Sequence, residues 1–328
     1  MSVIYVTTQG ACLRCQAGRY VVTHRDREIS AVPEAAVEGV VLMGHVQVST
    51  RAVQALLEAG VPLLYMTLHG RFRGMLQPGC PKNAFVRIAQ YDASLDADFA
   101  LGMARQFIKA KFQGQIDTLH KWRRNGWLLD GDPTDDLLEL RRTLDDRVTL
   151  TDLVGLEAVA ARTYFQGLGS ALPPPFAWQG RHRRPPTDPV NALLSLTYMM
   201  VVGETVSACY TAALDPLIGF LHQLDYGRPS LALDILEPLR ACYCDHLVMR
   251  LLQAETLSSE DFTITDEGCR LSPEGFREYL THYETFARSA RGERASLRTA
   301  VTRLARGVVT AVRERQPLEP EAMLGGDS

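Results

Sequence analysis

This chain of 328 residues lacks an export signal, a membrane-length apolar run and any excess of positive charge. Met1-Ser2-Val3-Ile4-Tyr5 has no basic segment followed by an apolar stretch, so no secretory signal is expected. The longest apolar run, Leu193 to Val202, is broken by Ser195 and Thr197 and followed by Gly203-Glu204. A bilayer span needs about 20 apolar residues, so this run reads as a buried core helix and no membrane association is expected. A formal net charge of −3 excludes a globally basic nucleic-acid binder; a nucleic acid would have to be held by local patches. The seven cysteines are odd in number and scattered, which excludes a disulfide framework and predicts reduced thiols in the cytoplasm. Cys12-Leu13-Arg14-Cys15 has the spacing of half a zinc knuckle, but no second pair follows. On a strand such residues face opposite ways, so they read as ordinary strand cysteines. His-Glu-x-x-His, Walker A and Gly-x-Ser-x-Gly are also missing, which excludes the standard zinc-protease, P-loop and hydrolase-elbow readings.

What is present is the composition of a soluble globular protein, 46% apolar and 22% charged, long enough for one large or two ordinary domains. Residues 1–77 read as β-rich, with short runs such as Val3-Ile4-Tyr5-Val6, Tyr20-Val21-Val22-Thr23 and Val40-Val41-Leu42-Met43 between turn residues. One helix, about 50–59, interrupts them, with Ser49 or Thr50 as cap and Gly60 as terminator. So small a sheet must pack on something, which predicts a compact sandwich and a subunit contact. Pro78-Gly79-Cys80-Pro81 marks a linker, residues 78–82. Residues 83–315 then turn helical, and 316–328 read as a flexible tail.

The helical region holds the polar anomalies. Glu157 interrupts the apolar stripe of a helix capped by Thr149 or Thr151; it reads equally as a functional acid or as the partner of Arg162 or another arginine. Asp188-Pro189 caps an almost wholly apolar helix, and Asp215-Pro216 repeats the device to start a short helix carrying His222. Asp234 and Glu237, three apart, share a face beside Leu233 and Leu236, and Pro238 should kink the segment. Buried carboxylates imply a partner: a cation, an arginine or a bound ion. One imidazole with carboxylates suits Mn²⁺, or Mg²⁺ completed by water, and is too poor in nitrogen and thiolate for structural zinc. Residues 172–189 form a proline-stiffened loop bearing Arg181, Arg183 and Arg184, suited to phosphate. An ion beside such a loop favours phosphodiester chemistry. Two rivals remain at this level: a small-phosphoester hydrolase with a closed pocket, and a catalytically silent DNA-binding subunit in which the acids pair with buried arginines.

Four motifs together, Gly155-Leu156-Glu157-Ala158, Arg183-Arg184-Pro185-Pro186-Thr187-Asp188-Pro189-Val190-Asn191, Leu214-Asp215-Pro216-Leu217-Ile218-Gly219-Phe220-Leu221-His222 and Leu233-Asp234-Ile235-Leu236-Glu237-Pro238-Leu239-Arg240, resemble the CRISPR-associated spacer integrase, the Cas protein numbered one. The resemblance runs over essentially the whole chain. It implies an α+β two-domain protein, a small N-terminal β-sandwich used for homodimerisation followed by a larger all-α catalytic domain. It further implies a cytoplasmic, Mg²⁺- or Mn²⁺-dependent DNA endonuclease and integrase that inserts spacers into a CRISPR array by 3′-hydroxyl attack on a phosphodiester. Its DNA would be double-stranded, branched and prespacer DNA, and its partner the small ferredoxin-like Cas protein numbered two. Carried over by position, the metal ligands fall on Glu157, His222 and Glu237, and Asp234 on an acidic position beside the metal. Ala241 departs from the second proline of many relatives, which touches the path beyond the site and spares the ligands. Arg183 and Arg184, with Lys109, Lys111 and Arg124 behind them, are the candidates for DNA contact.

Overall fold

The computed structural model describes residues 2–77, 83–127, 133–176, 178–182, 185–290, 292 and 294–325. Cα packing divides the chain into two compact units, Met1–Pro81 and Lys82–Ser328. The residues expected to form the linker, 78–82, lie outside those described, as do Arg183 and Arg184.

The first unit contains β1 (Ser2–Val6), β2 (Cys12–Gln16), β3 (Arg19–His24), β4 (Arg27–Pro33), β5 (Val37–Met43), β6 (Gln47–Val48), α1 (Thr50–Glu58), β7 (Leu63–Met66) and β8 (Phe72–Leu76). They form two four-stranded sheets, ordered β1-β5-β7-β8 and β4-β3-β2-β6. β1, β5 and β7 run parallel and β8 antiparallel to β7; β2, β3 and β4 are antiparallel neighbours. Ile4, Val6, Leu13, Tyr20, Val22, Val40, Leu42, Leu56 and Leu63 draw both sheets and α1 into one apolar core. Ser49 caps α1 by accepting from the Ala52 N–H. Strands β4 and β6 were not foreseen from apolar runs, because β4 is exposed along most of its length and β6 spans two residues. Cys15 is buried on β2 and Cys12 only partly so, the alternation expected of strand cysteines.

The second unit contains α2 (Ala84–Leu95), α3 (Ala97–Arg124), α4 (Thr134–Arg142), α5 (Leu150–Ser170), α6 (Pro189–Thr211), α7 (Ser230–Leu236), α8 (His246–Gln253), β9 (Phe262–Thr265), β10 (Gly268–Leu271), α9 (Pro273–Arg288), α10 (Leu297–Glu314) and α11 (Pro320–Met323). The unit is mostly helical, and its one antiparallel hairpin, β9–β10, falls where the sequence of residues 261–271 suggests a hairpin. Thr149, Asp188, Ser272 and Ser296 each accept a backbone N–H at the start of α5, α6, α9 and α10. α6 is apolar on all sides and is the helix on which much of this unit packs. The chain beyond α10 does not fray as its composition predicts. Leu318 and Leu324 are buried, α11 forms, and Arg294 bridges to Gly325, so apolar contact outweighs the entropy of a free end.

Candidate metal centre

Glu157 stands at the edge of the buried face of α5, which is made by Leu153, Leu156, Ala160 and Tyr164. Glu237 is the first residue after α7, where regular helix gives way to a 3-10 turn (Glu237–Leu239) and then a π-helical turn (Arg240–Asp245) before α8. Pro238 lacks the N–H that an α-helix would use, so the pattern is broken beside the acid, as the sequence predicts. π-turns recur at functional positions, and this one brings Arg240 back onto Glu237, Nη2 to Oε1 at 3.0 Å. The guanidinium also lies over the Tyr198 ring, 4.7 Å from its centroid.

His222 is not on a helix. Residues 212–229 are turns and bends, and His222 is placed by Asp234. Asp234, fully buried, accepts the backbone N–H groups of Phe220 (2.6 Å), Leu221 (3.0 Å) and His222 (2.9 Å), and His222 Nδ1–H at 2.7 Å. Oδ1 and Oδ2 each take two of these bonds, which leaves no lone pair for an ion. Asp234 is therefore the residue that orders the loop and holds His222 Nδ1 as the donating nitrogen. With Nδ1 donating, Nε2 is the acceptor, 3.9 Å from Glu237 Oε1. Gly219 makes the loop possible, since a Cβ there would lie 2.7 Å from Asp234 Oδ2 and 2.8 Å from the Ser230 carbonyl carbon.

Lys111 connects the two glutamates. It sits inside α3 with only 8% of its surface exposed; its ammonium contacts Glu157 Oε1 and lies 2.7 Å from Glu237 Oε2. It was expected among the DNA-contacting cations; burial between two carboxylates takes it out of any surface patch. Lys109, two residues earlier, projects from another side of the same helix. Arg124 lies about 20 Å further along α3, at 1.5 Å per residue. It is exposed there and lines a second cavity of about 510 Å³ with His120, Lys121 and Arg294. The structure thus assembles Glu157, His222 and Glu237 with Asp234 and Lys111, and leaves Lys109 and Arg124 outside.

Burial by itself would raise the Glu237 carboxyl, but the charges of Arg240 and Lys111 outweigh it and hold the group down to about 2. Glu237 is thus an anion at every pH of interest. Among the described residues, no three His, Cys, Asp or Glu side chains already form a closed ligand cluster. The donor set nevertheless fits a hard divalent ion. Two carboxylates from separate elements face a common cation, an imidazole nitrogen lies 3.9 Å from one of them, and buried Glu237 Oε2 has no aligned hydrogen bond, only that cation's charge. Beside Glu157 opens a cavity of about 870 Å³ lined also by Arg162, Phe165, Trp178 and Arg181. Two cations and two aromatic rings there offer contacts for phosphate and for unstacked bases.

Behind the cluster is a layer that sequence inspection missed. Asp245, at the end of the π-turn, accepts from the hydroxyls of Tyr198 (2.6 Å) and Tyr164 (3.0 Å). Burial pushes its carboxyl up to about 6, against those hydroxyls and Arg240. Its signal in the sequence was a lone acid inside the apolar run Ala241 to Val248.

A sequence profile of the family described as CRISPR associated protein Cas1 matches residues 4–285. The CRISPR-associated endonuclease Cas1 3 of Thermus thermophilus is 35% identical over 286 residues, covering 87% of this chain and 84% of that protein. Among solved structures, a casposase bound to its integration product shares the fold at a TM-score of 0.85 and 20% identity, covering all of this chain and 96% of that one. A chain of a Cas6-RT-Cas1–Cas2 complex shares it at 0.81 and 23% identity, over 97% of this chain and 35% of the other.

Proposed function

This chain belongs to the CRISPR-associated Cas1 family, and from that premise we propose that it is a divalent-metal-dependent DNA endonuclease and integrase acting in spacer acquisition. The observation that carries the reading is the convergence of Glu157 and Glu237, from α5 and the end of α7, on the buried Lys111 ammonium, with His222 Nε2, from an Asp234-bound loop, 3.9 Å from the other oxygen of Glu237. A small-phosphoester hydrolase would enclose its substrate, whereas the cavity beside Glu157 is open and flanked by arginines. The silent-subunit reading accounts for the pairing of Glu237 with Arg240, but not for an imidazole whose Nε2 is kept free toward that acid.

Glu157, His222 and Glu237 are the residues that would hold Mg²⁺ or Mn²⁺. Such an ion supplies polarisation of the scissile phosphoryl group and favours ionisation of the attacking hydroxyl. The chain's own side chains do the rest. Asp234 keeps the proton on His222 Nδ1 and so keeps Nε2 available. Arg240 fixes the Glu237 carboxylate and offsets its charge. Arg162 and Arg181 flank the cavity where a DNA end would lie. In the reaction the 3′-hydroxyl oxygen of a prespacer end bonds to phosphorus, the bond to the original 3′-oxygen breaks, and the hydroxyl proton ends on the departing strand. Attack by water at the same site gives nuclease activity.

The partner assignments are supported by the neighbours: one is a casposase bound to its integration product and another is a chain of a Cas6-RT-Cas1–Cas2 complex. We assign this chain a small Cas2-type partner, homodimerisation through its β unit and a cytoplasmic site of action. Strand transfer is the test. With its Cas2 partner, a branched or prespacer DNA and Mn²⁺ or Mg²⁺, wild type should join DNA ends, while chelation or His222→Ala should cut the rate at least about a hundredfold, consistent with loss of charge stabilisation at a phosphoryl centre. Undiminished joining by His222→Ala would refute the assignment.

A further inference from the structure

Arg240 reaches Glu237 from the same helical run, whereas Lys111 reaches across from α3 to acids on two other elements. Resting on the reading of Glu157, His222 and Glu237 as ligands, we propose that the Lys111 ammonium is an internal stand-in for the divalent ion. It bridges the two glutamates in the metal-free protein and leaves both when an ion binds.

The acids require a cation whether or not metal is present. Their side chains are only 23% and 5% exposed, and that of Lys111 is 9% exposed. Arg240 reaches Glu237 alone, so Lys111 is the cation that the two carboxylates share. A chain that relied on metal alone for this would fold only in its presence; Lys111 removes that dependence. An ammonium, however, is a donor with no acceptor. It uses the carboxylate oxygens an ion would need, and it repels a divalent charge at the same place. The two cations therefore compete for one site.

Exchange calls for side-chain motion only. Gly114, one turn beyond Lys111, lets α3 lie against the turn holding Glu237, and a Cβ there would stand 3.4 Å from the Pro238 carbonyl oxygen. α3 packs directly on α5 and on the turn holding Glu237, while the lysine stem has four rotatable bonds. Lys111 is a positioning residue: it holds the ligands apart and in register before loading, and its displacement sets how tightly the ion is held.

Mn²⁺ binding by full-length protein, followed by calorimetry and by thermal unfolding, tests this. In Lys111→Met the metal-free protein should melt earlier than wild type. Its Mn²⁺ affinity should rise at least about tenfold, because removing a unit charge a few ångströms from a divalent ion is worth a decade or more in binding. A lysine with a merely structural role would lower the melting temperature and leave ion binding equal or weaker, and that result overturns the proposal. If the variant does not fold, wild type alone decides. Acylation of Lys111 by an amine-reactive reagent, read by mass spectrometry, should speed up on addition of Mg²⁺; an unchanged rate overturns it. His222→Ala separates the two levels. Mn²⁺ binding that His222→Ala weakens while Lys111→Met leaves it unchanged refutes the lysine's role alone. Mn²⁺ binding indifferent to His222→Ala refutes the ligand assignment and this proposal with it.

Discussion

Two buried aspartates, Asp234 and Asp245, do opposite electrostatic work within one helical run. Asp234 is saturated by four donors from the His222 loop and serves as an anion that organises backbone. Asp245 has only two hydroxyl donors at close range, and burial dominates, so its carboxyl rises to about 6. A group whose folded value is raised takes up protons more readily when folded, so its contribution is greatest below its unfolded value near 3.8 and is lost as pH climbs through about 6. Between pH 5 and 7.5 this amounts to about 1.4 kcal/mol of stability lost, from the linkage relation applied to those two values. Glu237 does not contribute in that window. Its value is lowered, so its stabilisation is complete above about 4.5 and fades only as pH falls through about 2. Glu204 is also raised by burial and slopes the same way as Asp245. The comparison that isolates Asp245 is therefore urea unfolding of wild type against Asp245→Asn at pH 5 and 7.5. The variant should show the shallower dependence, by about 1.4 kcal/mol over the interval; equal slopes would mean that Asp245 does not titrate there.

The element that decides the site is the loop between α6 and α7, and Gly219 is its tightest point. A methyl group there would enter the space of Asp234 Oδ2 and the Ser230 backbone, neither of which can yield without breaking the bonds that hold His222. Gly219→Ala should cost about 1–3 kcal/mol, the usual price of overpacking, and should lower strand transfer at least about tenfold by misplacing the imidazole. A variant with wild-type unfolding and activity would show that the loop adapts. This loop also marks where sequence reasoning stopped short. Asp188-Pro189 and Asp215-Pro216 look alike, yet only the first starts a helix. Asp215 Oδ1 accepts from the Leu217 N–H in a local turn, its backbone is bound by Gln90, and the following N–H groups turn to Asp234 instead of to carbonyls four residues back. Those partners are remote in sequence, so no local pattern could reveal them. The long helices were legible because apolar spacing and caps at Thr149 and Asp188 agreed. Glu157, His222 and Glu237 were legible as polar residues in apolar settings. Lys111 carried the same signal, one turn after Phe107 and one before Gly114 on the buried side of α3, but was read with its surface neighbours Lys109 and Arg124 because lysine is so often exposed.

At the scale of the whole molecule, the chain divides into two compact units, and we propose separate tasks for them. Every residue of the candidate centre and of the Tyr164–Asp245–Tyr198 layer behind it falls in the unit Lys82–Ser328. The β unit, Met1–Pro81, buries its own core from both sheets and α1. A fragment comprising residues 83–328 should therefore fold cooperatively and bind Mn²⁺ with the affinity of the full chain, since none of the ligands or their supports is removed. It should also be monomeric, because the proposed dimer contact lies in the part taken away. Light scattering and calorimetry on the fragment measure both properties. A dimeric fragment would move the subunit contact to the helical unit. A fragment that folds yet binds Mn²⁺ much more weakly would mean that the centre draws on the β unit, either directly or through a second subunit. Strand transfer should fall in the fragment even with the centre intact if, as proposed, insertion joins both ends of a DNA segment and draws on two centres held together through the β unit. Loss of activity together with retained metal affinity is thus the signature that distinguishes an assembly role for the β unit from a catalytic one.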